Sequence, residues 1–175
     1  MKAGRKRKPG PRKNGRLIVA LDKGTERTQA MHALYGPDGC DAIGRAYRAG
    51  LLGEGSEAKA MLDLARAIAG AYWIAYEQGR YQCALADRSF GNVTPIDQAA
   101  VKRREQWLAA CLDDVNRMGR DVRRAFDQLV IDVHPDAGPA WLDEAVWYAK
   151  RRKAVPGGAL MHLRKALDAL EMLAG

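Results

Sequence analysis

Cysteine, histidine and phenylalanine are all scarce in this chain of 175 residues, which holds three Cys, three His and two Phe. Cys40, Cys83 and Cys111 are odd in number, far apart and without a Cys-x-x-Cys pair, which excludes a disulfide framework and zinc-finger spacing. His32, His134 and His162 stand singly, with no cysteine or carboxylate at metal-ligand spacing. Each reads as an ordinary surface or packing residue, and no metal or other cofactor is expected. Long apolar runs are missing as well. Leu17-Ile18-Val19-Ala20-Leu21 meets Asp22 at once, short of the roughly 7–15 apolar residues of a secretory signal. Nothing approaches the ~18 apolar residues expected of a membrane span. The expectation is a soluble protein of a reducing cytoplasm, that of a bacterium or phage-infected cell, with no membrane partner.

Catalytic motifs are absent too. The chain has no Gly-rich phosphate loop, His-Glu-x-x-His, Gly-x-Ser-x-Gly or Asp-rich calcium loop. Asp113-Asp114 and Asp143-Glu144 are adjacent acids, and helix neighbours point to different sides. The second pair falls in a first helical turn, where acids complement the macrodipole. No nucleophile, base and orienting group assemble, so an enzyme is not expected.

The most telling absence is of acid in the first sixteen residues. They carry Lys2, Arg5, Lys6, Arg7, Lys8, Arg12, Lys13 and Arg16, with three glycines and two prolines, and no Asp or Glu. Of 29 basic residues in the chain, eight sit here, leaving 21 against all 21 acidic residues in the rest. The net charge of +8 therefore belongs to an arm, 1–16, attached to a formally neutral body, 17–175. Such an arm has nothing to bury and is expected to be disordered in isolation. Fully extended it reaches at most about 55 Å, enough to follow several phosphates of a nucleic acid while the body docks elsewhere. Lys8-Pro9-Gly10-Pro11-Arg12-Lys13 resembles an AT-hook, which implies a minor-groove fit, but lacks the Arg-Gly-Arg-Pro core.

The body is 47% hydrophobic by whole-chain composition, and its apolar residues recur at helical spacing. Thr25 caps a short helix ending before Gly36-Pro37, and a second covers about 38–49 with Ile43, Ala46 and Tyr47 inward. Ser56 is the expected cap of the longest helix, to about Glu77, with Met61, Leu64, Ala65, Ile68, Tyr72 and Ala75 on one stripe. Leu62, Trp73, Ile74 and Tyr76 widen that stripe and predict a central helix, and Ala69-Gly70-Ala71 predicts close approach of a neighbour. After a loop at 79–94, Thr94-Pro95 opens a helix to about Met118, broken by Gly119. Val122, Ala125, Phe126, Leu129, Val130 and Val133 trace the next, whose end could also read as strand. Two more follow, one over about 139–153 and, after the separator Pro156-Gly157-Gly158, a last one along which Leu160, Leu163, Leu167 and Leu170 repeat. The fold expected is all-α: a compact bundle of six or seven helices behind a basic arm, with possible lobes 17–78 and 94–175.

Secondary basic clusters could extend a positive path. Lys102, Arg103 and Arg104 share one helix, Arg120, Arg123 and Arg124 the polar side of the next, and Lys150, Arg151, Arg152 and Lys153 close another. Trp107, Trp141 and Trp147 are expected to pack, while an exposed Trp141 would suggest a partner surface. No helix-turn-helix scans: aligning Gly50 to the turn glycine puts Ser56 and Lys59 where apolar residues belong.

Ala42-Ile43-Gly44-Arg45-Ala46-Tyr47-Arg48-Ala49-Gly50-Leu51-Leu52 and the Ala- and aromatic-rich helix after it resemble the opening of an uncharacterised alphaproteobacterial helical domain. Met118-Gly119-Arg120-Asp121-Val122 through Leu129-Val130-Ile131-Asp132-Val133, then Leu163-Arg164-Lys165-Ala166-Leu167, resemble its second half, over about residues 41–170. That domain follows a helix-turn-helix module in regulators of prophages and gene-transfer agents; here only the basic arm precedes it. The resemblance implies a phage-type regulator acting on DNA, with RNA polymerase as a possible protein partner. Two other classes compete: a helical adaptor or inhibitor of a polymerase subunit or nuclease, and a phage structural or DNA-packaging component.

Overall fold

The computed structural model describes residues 12–13, 16–17, 26, 29–30, 33, 36, 38–80, 98–133 and 138–174. Within them the protein is an all-α bundle. The helices are α1 (Ala42–Arg48), α2 (Gly55–Arg80), α3 (Gln98–Arg117), α4 (Arg120–Phe126), α5 (Ala140–Lys150) and α6 (Gly157–Ala174). Glu26, Gln29, Ala30 and Ala33 are helical too, where the Thr25-capped helix is expected. Among the described residues no helix is long and apolar enough to cross a membrane.

Helix α2 is the axis, as its broad stripe predicts. It packs against α1, α3, α6 and the turn that follows α4. Leu62, Ala65 and Ile68 are fully enclosed, whereas Ile74 and Tyr76, which widen the stripe on paper, are 40% and 47% exposed. Gly70 does not serve a close helix approach either, since a Cβ built there meets open space. The helix begins at Gly55, so Ser56 lies inside the first turn rather than capping it. Helix α4 lies along α6, whose Leu163, Ala166, Ala169 and Leu170 are buried, and α5 packs on the other flank of α6. One cluster of buried side chains draws on Ile43, Leu62 and Ile68 before the 81–97 segment and on Leu108, Phe126, Leu142 and Leu170 after it. The two stretches flanking that segment thus share a core.

The end of α4 departs from the expected helix. Asp127–Ile131 widens into a π-helical turn, and the chain leaves it extended at Asp132 (φ −68°, ψ 134°). A wider turn places Leu129, Val130 and Ile131, three consecutive residues, all in the core. Val133, expected on the same apolar face, is 78% exposed because the helix has already ended. The Trp73 indole closes the turn by donating to the Ile131 carbonyl at 2.9 Å.

β1 (Arg12–Lys13) pairs antiparallel with β2 (Arg16–Leu17), in register Arg12 to Leu17 and Lys13 to Arg16. Between the two strands the sequence reads Asn14-Gly15, the dipeptide most favoured in two-residue hairpin loops.

Candidate nucleic-acid interface

The candidate cations are of three kinds, which the fold treats differently. Of the arm residues, Arg12, Lys13 and Arg16 belong to the two-rung ladder. Lys2, Arg5, Lys6, Arg7 and Lys8 lie outside the described residues.

The secondary clusters are on described helices. Lys102, Arg103 and Arg104 are exposed on α3, and Arg120 and Arg124 on α4. Arg123 is not available in the same way. Its Nε donates to both carboxylate oxygens of Asp127 at 2.8 Å, and its Nη1 to Asn116 Oδ1 at 3.1 Å, tying α4 back to α3. At the end of α5, Lys150, Arg151, Arg152 and Lys153 are all exposed. The Arg151 guanidinium lies over the Trp147 ring at 3.9 Å from its centroid and donates to the Trp147 carbonyl. Trp147 is 45% exposed, with Tyr148 edge-on at 4.8 Å, so this corner joins aromatic faces to four cations. Trp147 and Trp107 (39% exposed) are therefore less packed than their apolar neighbours predict. Trp141 is half-buried, donates to Gln128 Oε1 at 2.8 Å and stacks on His162, which makes it a joint between α5 and α6 rather than a partner surface.

Three further cations do not emerge from sequence reasoning as special. Arg45, on α1, is 5% exposed and pairs with Asp143 in the first turn of α5, a partner 98 residues away that no local pattern announces. Arg66, on α2, forks across the turn before α1. Its Nε reaches Asp41 Oδ2 at 2.9 Å and its Nη1 Asp38 Oδ1 at 3.0 Å, while Asp41 Oδ1 caps α1 by accepting from Gly44 N–H at 2.8 Å. The two carboxylates hold the Arg66 guanidinium protonated well above its ordinary value, and Arg66 in turn lowers the Asp38 carboxyl. Gly44 is obligatory there, because a Cβ would fall 1.6 Å from the Asp38 carbonyl oxygen. Lys165 on α6 bridges to Asp121 on α4 at 2.9 Å.

Among the described residues, seven body carboxylates are held by body cations. Asp38, Asp41, Asp63, Asp114, Asp121, Asp127 and Asp143 each take a cation from the body itself. No three His, Cys, Asp or Glu side chains come together as a metal site among the described residues. Burial first, then neighbouring aspartates, pushes both the Cys40 and Cys111 thiols up, away from the reactive thiolate. The sequence matches no family model, and neither a curated protein nor a solved structure matches it significantly.

Proposed function

We propose that this protein binds nucleic acid, DNA in preference to RNA, as a non-enzymatic transcriptional regulator of phage type acting in the cytoplasm. The observation that carries the reading is the partition of charge: eight cations and no acid in residues 1–16, against a body balanced at 21 of each sign. The internal ion pairs support it, because seven body carboxylates that could have neutralised the arm already hold body cations. Duplex DNA carries one negative charge per ~1.7 Å, and cations that replace its condensed counterions gain affinity steeply at low salt. The arm supplies that affinity, and the exposed corner around Trp147 and Arg151 offers a stacking and phosphate-contacting surface on the body.

The test is an electrophoretic shift on random duplex with the eight arm cations replaced by Gln, measured between roughly 50 and 200 mM salt. The wild type shows a log–log salt slope no steeper than about −7, and the neutralised arm loses affinity at all sequences alike and flattens that slope. Equal affinity in the two proteins overturns the reading.

A protein partner is the second reading, favoured by one feature. Tyr72 and Tyr76 of α2 and Leu108 and Leu112 of α3 line an open, largely apolar groove of about 340 Å³. A stoichiometric protein partner retained after nuclease treatment, RNA polymerase being the first to try, would favour an adaptor over a DNA binder.

A further inference from the structure

Helix α5 ends in a run of four exposed cations, Lys150-Arg151-Arg152-Lys153. Its exit is a Schellman-type turn: Arg152 N–H donates to the Ala149 carbonyl at 2.9 Å, and Lys153 N–H to the Tyr148 carbonyl at 3.1 Å. The residue that reverses the chain in such a turn is left-handed and is most often glycine. Here it is Arg152, with a φ of +53°, and no other described residue apart from glycine has a positive φ. The helix dipole favours cations within the last turn, which accounts for Lys150 but not for Arg152 and Lys153 beyond it. A side chain kept where the backbone favours glycine points to a use for that side chain. No acid stands between Glu144 and Asp168 in the sequence. Among the described residues, none of Arg151, Arg152 and Lys153 forms an ion pair.

The aromatic half of this corner is built on the same stretch of helix. Trp147 lies four residues before Arg151, so the two share a face, and the guanidinium carbon sits 3.9 Å from the centroid of the indole ring. Donation from Arg151 to the Trp147 carbonyl at 3.2 Å holds the guanidinium there. Tyr148 stands edge-on to the indole, at 4.8 Å and 66°. Trp147 still keeps 45% of its surface open. An indole with a guanidinium laid over it is a planar platform, and both kinds of plane stack on nucleobases. Within a duplex, base faces are buried against one another, and only edges and phosphates are offered. A base reaches this platform when it is unpaired.

We propose that the corner at the end of α5 binds an unpaired nucleic-acid strand, one base stacking on Trp147 and Arg151 while Arg152 and Lys153 contact the flanking phosphates. This rests on reading the chain as a nucleic-acid binder, but not on the arm, whose cations meet the phosphates of paired and unpaired strands alike. Stacking does not distinguish the two sugars, so the strand is DNA or RNA, and matched oligonucleotides assign it.

Labelled oligonucleotides of about 12 nucleotides are titrated with full-length protein and followed by fluorescence anisotropy: single-stranded DNA, the RNA of the same sequence, and the matching DNA duplex. W147L is expected to weaken single-strand binding about tenfold, in the range for loss of one stacked base, and to change duplex binding less than about twofold. W147F, which returns a ring, restores most of the loss. R152Q/K153Q keeps the ring and flattens the single-strand salt slope by about 1.4, at ~0.7 for each phosphate contact. Circular dichroism and Tm verify that the variants fold. The strand on which W147L costs more affinity, DNA or RNA, is the one the corner takes. Equal losses on single strand and duplex, or an unchanged single-strand affinity in W147L and R152Q/K153Q, overturn the proposal. In the arm-neutralised protein the single strand should bind tighter than the duplex. Failure of the arm shows as an unchanged duplex affinity there, and failure of the corner as a W147L protein that still discriminates, so the two readings fail separately.

Discussion

The arm and the body of this protein use positive charge in opposite ways. In the body, Arg45, Arg66, Arg123 and Lys165 each hold a carboxylate on another turn or helix and act as joints of the bundle. In the arm, eight cations come without a single acid among them, and the composition gives them no local partner. Number of charges therefore says little about role. What separates the two regions is whether an opposite charge is built in at hydrogen-bonding distance. Removing a body cation that serves as a joint, such as Arg66 or Lys165, should change stability and leave salt-dependent binding alone; removing arm cations should do the reverse.

The largest stability effect is expected where the body's pairing is most buried. Asp143→Asn keeps the shape of the side chain but removes the negative charge that pairs with the Arg45 guanidinium, which is 4% exposed. Breaking a buried pair costs roughly 3–5 kcal/mol. Asp143 is 52% exposed, so water takes up part of the loss, and about 2 kcal/mol, or a fall of ~4–8 °C in Tm, is expected. A Tm unchanged within a degree would mean that Arg45 is not a joint between α1 and α5. Next comes Arg66→Gln, which releases Asp38 and Asp41 together and loosens the turn that caps α1. Arg66 is partly exposed, so about 1–1.5 kcal/mol is expected by chemical denaturation, with the duplex salt slope unaltered. A changed slope would break the contrast between arm and body.

How much of this was legible in the sequence depends on whether the cause is local. The helices are: their apolar residues repeat at three and four, and Gly119 and Pro139 mark real ends, Gly119 with φ +112° between α3 and α4 and Pro139 as the residue before α5. The charge on the arm is legible because it is composition. Four features are not local and escaped. The Arg45–Asp143 pair spans 98 residues, and the Arg66 clamp 25 and 28. The π-helical turn at Asp127–Ile131 arises from packing three consecutive apolar residues into one core, which a 3.6-residue period cannot express. A cavity lined by Arg45, Arg48 and Lys150 needs α1 and α5 side by side, and nothing in either segment reveals the other.

The smallest expected effect is a titration, and it sharpens the contrast because only the body should show it. Hydrogen bonding to Arg66, reinforced by the same guanidinium's charge and opposed by burial, holds the Asp38 carboxyl below its ordinary value of 3.8. A carboxyl lowered in the folded state binds its proton more weakly there than in the unfolded chain, so protonation favours unfolding. The contribution is therefore complete above pH 3.8 and is lost as pH falls below that toward the folded value. Asp121, lowered by its hydrogen bond to Lys165, has the same sign, although its full exposure makes its share slight. Comparing wild type with Asp38→Asn by denaturant melts from pH 7 to pH 2 isolates the first term. The two curves should run parallel, wild type above, from neutral pH down to about pH 4, and converge below it. A gap that persists undiminished at pH 2 would assign the Asp38 contribution to shape rather than to its charge on Arg66. A gap that opens only on acidification would reverse the sign and remove Arg66 as the cause. The arm has no carboxyl to titrate, so neutralising its cations should leave this acid limb where it is.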